Sequence, residues 1–159
     1  MDDGVSSVTV TGNICYHAGE WAIQIHGGAN NTFQNNIFDL SSAGTELGLY
    51  QSSGIAPTGM TGNVFQRNIV YSATTFTSTL WTDSHGANAA LTDTTNMYFS
   101  ANGSAIPNTT IVDPNRQLAN PLMTNPAVGD YTLSPSSPAY TSLSWTTLPT
   151  DAGPLPNPY

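Results

Sequence analysis

The chain has no lysine, and Arg67 and Arg116 are the only strongly basic side chains among its 159 residues. Ten Asp and Glu residues outweigh them, giving a formal net charge of −8. Recognition of a phosphate backbone draws its affinity from Lys and Arg, so this balance argues against nucleic acid as a partner and against an anionic membrane surface. No apolar run is long enough to span a bilayer, and no signal peptide is recognisable. Cys15 is the single cysteine, which excludes an intrachain disulfide and leaves the redox compartment open. It occupies an apolar position of the pattern described next, so core packing is its expected role. No segment reads as a convincing amphipathic helix.

What is present is repetition. Asn13-Ile14-Cys15-Tyr16, Asn36-Ile37-Phe38-Asp39, Asn68-Ile69-Val70-Tyr71 and Asn96-Met97-Tyr98-Phe99 are four copies of one phrase, 23, 32 and 28 residues apart. The stretch Asn31-Thr32-Phe33-Gln34-Asn35-Asn36-Ile37 returns as Asn63-Val64-Phe65-Gln66-Arg67-Asn68-Ile69. Spacings of this size are those of solenoids and related arrays. Within each repeat, Val8–Thr11, Thr32–Asn35 and Val64–Arg67 alternate apolar with polar residues, as half-buried strands do. Ala22–His26, Leu47–Gln51 and Thr79–Asp83 form a second alternating set, separated from the first by Gly, Asn and Ser clusters. Short strands repeating at this period predict an all-β chain, a parallel β-helix of about four to five coils. The repeated asparagine is expected to turn a corner in left-handed backbone and to bond its counterpart on the next coil.

These residues resemble a known family. Val8-Thr9-Val10-Thr11-Gly12-Asn13-Ile14, Ala22-Ile23-Gln24-Ile25-His26-Gly27-Gly28 and Asn30-Asn31-Thr32-Phe33-Gln34-Asn35-Asn36-Ile37-Phe38 look like the right-handed parallel β-helix proteins of the pectate-lyase-like superfamily. Asp113-Pro114, Asn120-Pro121-Leu122, Gly129–Leu133 and Ser137-Pro138-Ala139 resemble the segment that closes many such helices. The resemblance covers nearly the whole chain and is nearest to the β-helix glycoside hydrolases, with this chain corresponding to a C-terminal portion. It implies a polysaccharide or oligosaccharide partner and a secreted or extracellular location. The fold also hosts lyases, epimerases and adhesins, so activity does not follow from it.

The expected organisation is residues 1–105 as β-helix coils and 106–159 as a Pro-rich closing coil with an extended tail. Proline cannot donate to a β-ladder, which suits a stretch that ends the stack. The first coil has no comparable cover, and a homo-oligomer through that uncapped face is the expectation.

Stacking turns sequence offsets into neighbours. Asp3 and His26 are 23 residues apart, so one rim is expected to carry Asp2 or Asp3, His26, Gln51, Asp83 and His85. Adjacent coils lie about 4.8 Å apart, which brings carboxylates into the range of glycosidase acid–base pairs. Glu20 and Trp21 open their strand, where an indole could stack on a sugar ring. By the resemblance, Asp2, Asp3 and Asp83 are the catalytic candidates and Glu20, Trp21, His26, Gln51 and His85 the substrate-binding ones. Asp39 and Glu46 flank a Ser-rich loop and are expected to be solvated. No cofactor or metal is expected: no spacing resembles a closed zinc or calcium site, and Gly27-Gly28 opens no helix that could cradle a phosphate. A uronate lyase would need cations that the chain hardly has. A glycoside hydrolase is therefore the leading expectation, with a non-catalytic glycan-binding or structural module, or a polysaccharide lyase, as alternatives.

Overall fold

The computed structural model describes residues 4–50, 60–77, 80–84, 91–107 and 113–149. Within them the chain is all-β, and its helical elements are a 3-10 turn at Pro126–Val128 and a four-residue helix, α1 (Ala139–Ser142). The first repeat unit supplies β1 (Thr9–Thr11), β2 (Ile14–Cys15) and β3 (Trp21–His26). The second supplies β4 (Thr32–Gln34), β5 (Ile37–Asp39) and β6 (Glu46–Tyr50), and the third β7 (Asn63–Gln66), β8 (Ile69–Ser72) and β9 (Trp81–Ser84). The fourth supplies β10 (Leu91–Thr94) and β11 (Met97–Ser100). Strands adjacent in sequence enter different sheets. Each pairs in parallel with its equivalent one unit on, giving the stacked orders β1-β4-β7-β10, β2-β5-β8-β11 and β3-β6-β9.

The alternation seen in the sequence is what makes this pairing hold. Phe33 and Phe65 are fully buried and in register, while Thr32, Gln34, Val64 and Gln66 beside them stay partly exposed. A one-residue slip would send the phenylalanines to the outer side. All three sheets turn their inward residues to one core, with Phe33 and Phe65 from the first, Phe38, Val70 and Tyr98 from the second, and Ile25, Leu47 and Trp81 from the third. Phe65 links them directly, tilted against Phe38 at 5.4 Å and edge-on to Trp81 at 5.1 Å.

A polar ladder runs beside this core. The backbone N and side-chain Nδ2 of Asn13 both donate to Oδ1 of Asn36, at 3.0 Å each. Asn36 does the same to Asn68 (3.1 and 3.0 Å) and Asn68 to Asn96 (2.8 and 3.1 Å). Asn96 ends the series on a carboxylate, donating from N (2.6 Å) and Nδ2 (3.2 Å) to Oδ2 of Asp113. The second Nδ2 hydrogen of each interior member reaches back one unit, Asn36 to Val10 O (2.9 Å), Asn68 to Phe33 O (2.9 Å) and Asn96 to Phe65 O (3.0 Å). The expected bond from asparagine to asparagine is thus present.

The corner itself is made differently from the sequence expectation. The left-handed residue is the one before each ladder asparagine: Gly12 (φ 74°), Asn35 (φ 55°), Arg67 (φ 52°) and Thr95 (φ 58°). Arg67 therefore sits at a corner and not within a strand, with its guanidinium on Gln34 Oε1 at 2.6 Å. A second corner uses Ser7, Asn30 and Gly62, also at positive φ.

The closing segment does more than end the stack. Gln117 pairs in parallel with Met97, carrying the ladder one step further. The chain then turns onto the outer side of the second sheet, where Ile14, Ile37, Ile69 and Met97 form a column. Tyr131, Leu133, Ala139, Leu143 and Trp145 bury that column. Within the segment, β12 (Met123–Asn125) and β13 (Asp130–Leu133) form an antiparallel hairpin. Three bonds fasten the segment down: Tyr131 OH donates to Asp39 Oδ2 at 2.6 Å, and Asn35 exchanges bonds with the backbone of Thr146 at 2.9 and 3.0 Å.

Two outcomes follow. Asn68→Ala strands buried donors of Asn36 and removes two further bonds, each unsatisfied group costing about 1–3 kcal/mol. Urea denaturation should show a loss of about 2–5 kcal/mol, and a loss below about 0.5 kcal/mol would contradict the ladder's role. Burial and the nearby Asp113 push the Asp93 carboxyl up from 3.8 to about 7. A raised acid is protonated in the fold while the unfolded chain has already released its proton, so stability is greatest in acid. It should fall as pH rises from 4 towards 7, at up to about 1.4 kcal/mol per pH unit. Asp93→Asn should flatten that slope, and an unchanged slope would contradict the assignment.

Candidate functional site

Several side chains able to do acid–base chemistry lie on the outer side of the third sheet, β3-β6-β9. Strand alternation dictates which they are. Ile25, Leu47 and Trp81 face the core, so Gln24, His26, Glu46 and Thr82 lie on the other side. The register has one irregularity here. Trp21 pairs with Glu46 and Ile23 with Leu47, leaving Ala22 as an extra residue on β3. Such a bulge re-aims the residues before it, and it sets Glu20 and Trp21 against Glu46 at the opening of the sheet.

Glu46 is the chemically distinctive group. Its backbone N donates to Glu20 O at 2.9 Å, which ties the two glutamates to adjacent strands. The Thr82 hydroxyl donates to its Oε2 from β9. Burial raises its carboxyl above the ordinary range, a hydrogen bond from Thr77 opposes the rise, and the charge of Glu20 adds to it. Glu20 itself is exposed, and Trp21 is partly exposed beside it. The arrangement is a carboxylate on β6, biased towards holding its proton, and a second carboxylate just ahead of β3, which begins at the indole of Trp21. That is the pattern by which one site divides acid and base roles between two like groups.

The candidate residues distribute as follows. Glu20, Trp21 and His26 lie on this face, as the sequence pattern places them. Asp83 pairs with Leu49, in the column of the fully buried Ile25, whereas the column of His26 continues through Tyr50 and Ser84. Asp2, Asp3, Gln51 and His85 lie outside the described residues. Gly4 N donates to His26 O at 3.3 Å, which agrees with the 23-residue offset used to align the first unit. Glu46 is the residue that sequence reasoning set aside as solvated. Aligning Ala22–His26 with Leu47–Gln51 would have placed it opposite Trp21.

Asp39 is a second correction, since it is buried rather than solvated. It accepts from Ser41 N at 2.8 Å, from the Ser41 hydroxyl and from Tyr131, a structural set of partners. Burial of the Tyr131, Tyr71 and Cys15 groups around it raises each of them, and the charge of Asp39 adds to the rise. His17 packs its ring on Tyr16 at 4.8 Å. Among the described residues, no group of three or more His, Cys, Asp and Glu is placed to hold a metal ion. A concavity of about 210 Å³ lies elsewhere, between the closing segment and β2 and β5. Ile14, Ile37, Tyr140, Trp145 and Leu148 line it with Asp130 as its carboxylate, so it holds no acid–base pair.

No helix is long and apolar enough to cross a membrane among the described residues. Comparison of the chain with protein-family models, with curated proteins and with solved structures found no match.

Proposed function

We propose that the chain coils as a right-handed parallel β-helix and acts as a glycoside hydrolase, with Glu46 and Glu20 as its acid–base pair. The handedness follows from the connections. Each joins parallel neighbours in one sheet, and such crossovers are right-handed in about 98% of cases. The fold alone carries no activity. The observation that supports hydrolysis is that Glu46 pairs with Trp21 and is bonded through its backbone N to Glu20, the residue before that strand, with burial and the Glu20 charge both raising the Glu46 carboxyl.

In this reading a pyranose ring lies on the Trp21 indole. Glu46 gives its proton to the glycosidic oxygen as that bond breaks, and Glu20 bonds to the anomeric carbon from the opposite side. Water that returns a proton to Glu46 then cleaves the glycosyl ester and frees Glu20. Two displacements at one carbon make retention of configuration the expected stereochemistry. A uronate lyase fits less well, because neither arginine belongs to this face. Arg67 is bonded to Gln34 on the first sheet, and Arg116 lies in the closing segment.

The test is to incubate the chain with plant and microbial polysaccharides and to weigh the released fragments by mass spectrometry. Saturated products carrying added water are expected, and Glu46→Gln and Glu20→Gln should each slow release by about 10²–10⁴-fold. Since Glu46 acts as an acid, activity should fall as pH rises through its raised titration. Hydrolysis that survives both substitutions would remove the pair from the mechanism, and unsaturated products would mean a lyase. Glycan binding without release, lost in Trp21→Ala, would make the face a binding surface only.

A further inference from the structure

The buried carboxylate Asp93 lies on the far side of β9 from the acidic face, and the surface chemistry described so far does not use it. Its position is unusual for the fold. By register it continues the column of Val10, Phe33 and Phe65, a place otherwise filled by apolar side chains. It is 5% exposed. A carboxylate put there needs partners, and it has three: Trp81 Nε1 donates at 3.2 Å, Asn96 Nδ2 at 2.7 Å and Tyr98 OH at 3.2 and 3.3 Å.

Trp81 is the link outward. The indole is 1% exposed, held edge-on by Phe65 and tied to Asp93 through its only polar atom. The next residue of the same strand, Thr82, points the other way and donates its hydroxyl to Glu46. Trp81 also pairs in register with Leu47, the neighbour of Glu46. The indole on Asp93 and the hydroxyl on Glu46 thus belong to consecutive residues of one strand.

We propose that Asp93 is a positioning residue for Glu46, acting through the consecutive β9 residues Trp81 and Thr82. A hydrogen bond to an ionised acceptor is shorter and about twice as strong as a neutral one. Ionisation of Asp93 tightens its hold on the indole, and protonation relaxes it. The groups facing Asp93 set when this happens. Asp113 from the closing segment and burial favour the proton, while Trp81, Asn96 and Tyr98 favour the charge, and the balance lies at about 7. Tyr98 is the other titratable neighbour, with Arg116 acting on it. Glu46 faces Glu20, Thr77 and Thr82 on its own side. The acidic face is thereby coupled to a proton held inside the core.

The linkage deepens the proposed catalytic site and takes its functional meaning from that reading. The test reads the carboxyl itself rather than turnover, so a failed linkage and a failed hydrolysis assay remain distinguishable. Carbon-13 NMR of the carboxyl resonances in the full chain should follow Asp93 and Glu46 from pH 3 to pH 9. The Glu46 resonance should show its own titration and a second inflection coincident with that of Asp93. Asp93→Asn keeps an acceptor for the indole and should abolish the second inflection without unfolding the chain. Trp81→Phe should abolish it while Asp93 still titrates. The proposal is overturned if Asp93 titrates with no response at Glu46, if the inflection persists in Asp93→Asn, or if Asp93 does not titrate in this range. The wild-type titration alone decides the matter should either variant fail to fold.

Discussion

Every stacked element depends on a directional hydrogen bond. The amide N and Nδ2 of one ladder asparagine both point at a single oxygen one unit on, from Asn13 through Asn36 and Asn68 to Asn96. Because each carboxamide also reaches back to a carbonyl, every donor of the interior members is used, as buried amides require. Interior phenylalanines and isoleucines supply the burial, but apolar contacts tolerate sliding. The ladder does not, since a shift of one residue would pair donors with apolar side chains. Asp113 suits the final position because the last donors meet an acceptor carrying charge, which strengthens the bond. The same carboxylate accepts from Thr95 N and Asn115 N at 2.8 Å each, so the end of the stack and the start of the closing segment share one anchor.

The acidic face inherits its geometry from that register. Unit lengths differ, and the fixed ladder means that the differences are absorbed elsewhere, in the connections and in the bulge at Ala22. Without the bulge, Trp21 and Glu46 would not be partners. Among the described residues the closing segment runs over the second sheet and not over this face, because it is tied at Asp39 and Asn35.

How much of this was legible depends on sequence distance. Strands, their parallel pairing and the asparagine ladder were readable because each unit repeats a local phrase and apolar residues alternate within it. Residues in left-handed corners were not readable: Arg67 and Thr95 have no intrinsic preference for positive φ, and the ladder imposes it on them. The path of the closing segment was hidden for another reason, since its ties join residues as far apart as Asn35 and Thr146. Trp21 and His26 lie in β3, within or beside the alternating run read from the sequence, and Glu20 directly precedes that strand. Glu46 was missed because its neighbours in sequence are loop-like while its partner is in another unit. Asp93 and Asp39 show the converse, carboxylates whose burial no local pattern announces.

The central claim is that stacking sets Glu20 beside Glu46 closely enough for the charge of one to add to the rise that burial causes in the other. The most direct measurement is the carboxyl titration of Glu46 by carbon-13 NMR in the native chain and in Glu20→Gln. Removing the Glu20 charge should lower the Glu46 midpoint, since that charge contributes to holding the proton. An unchanged midpoint in a folded Glu20→Gln chain would mean that the two glutamates do not share a site.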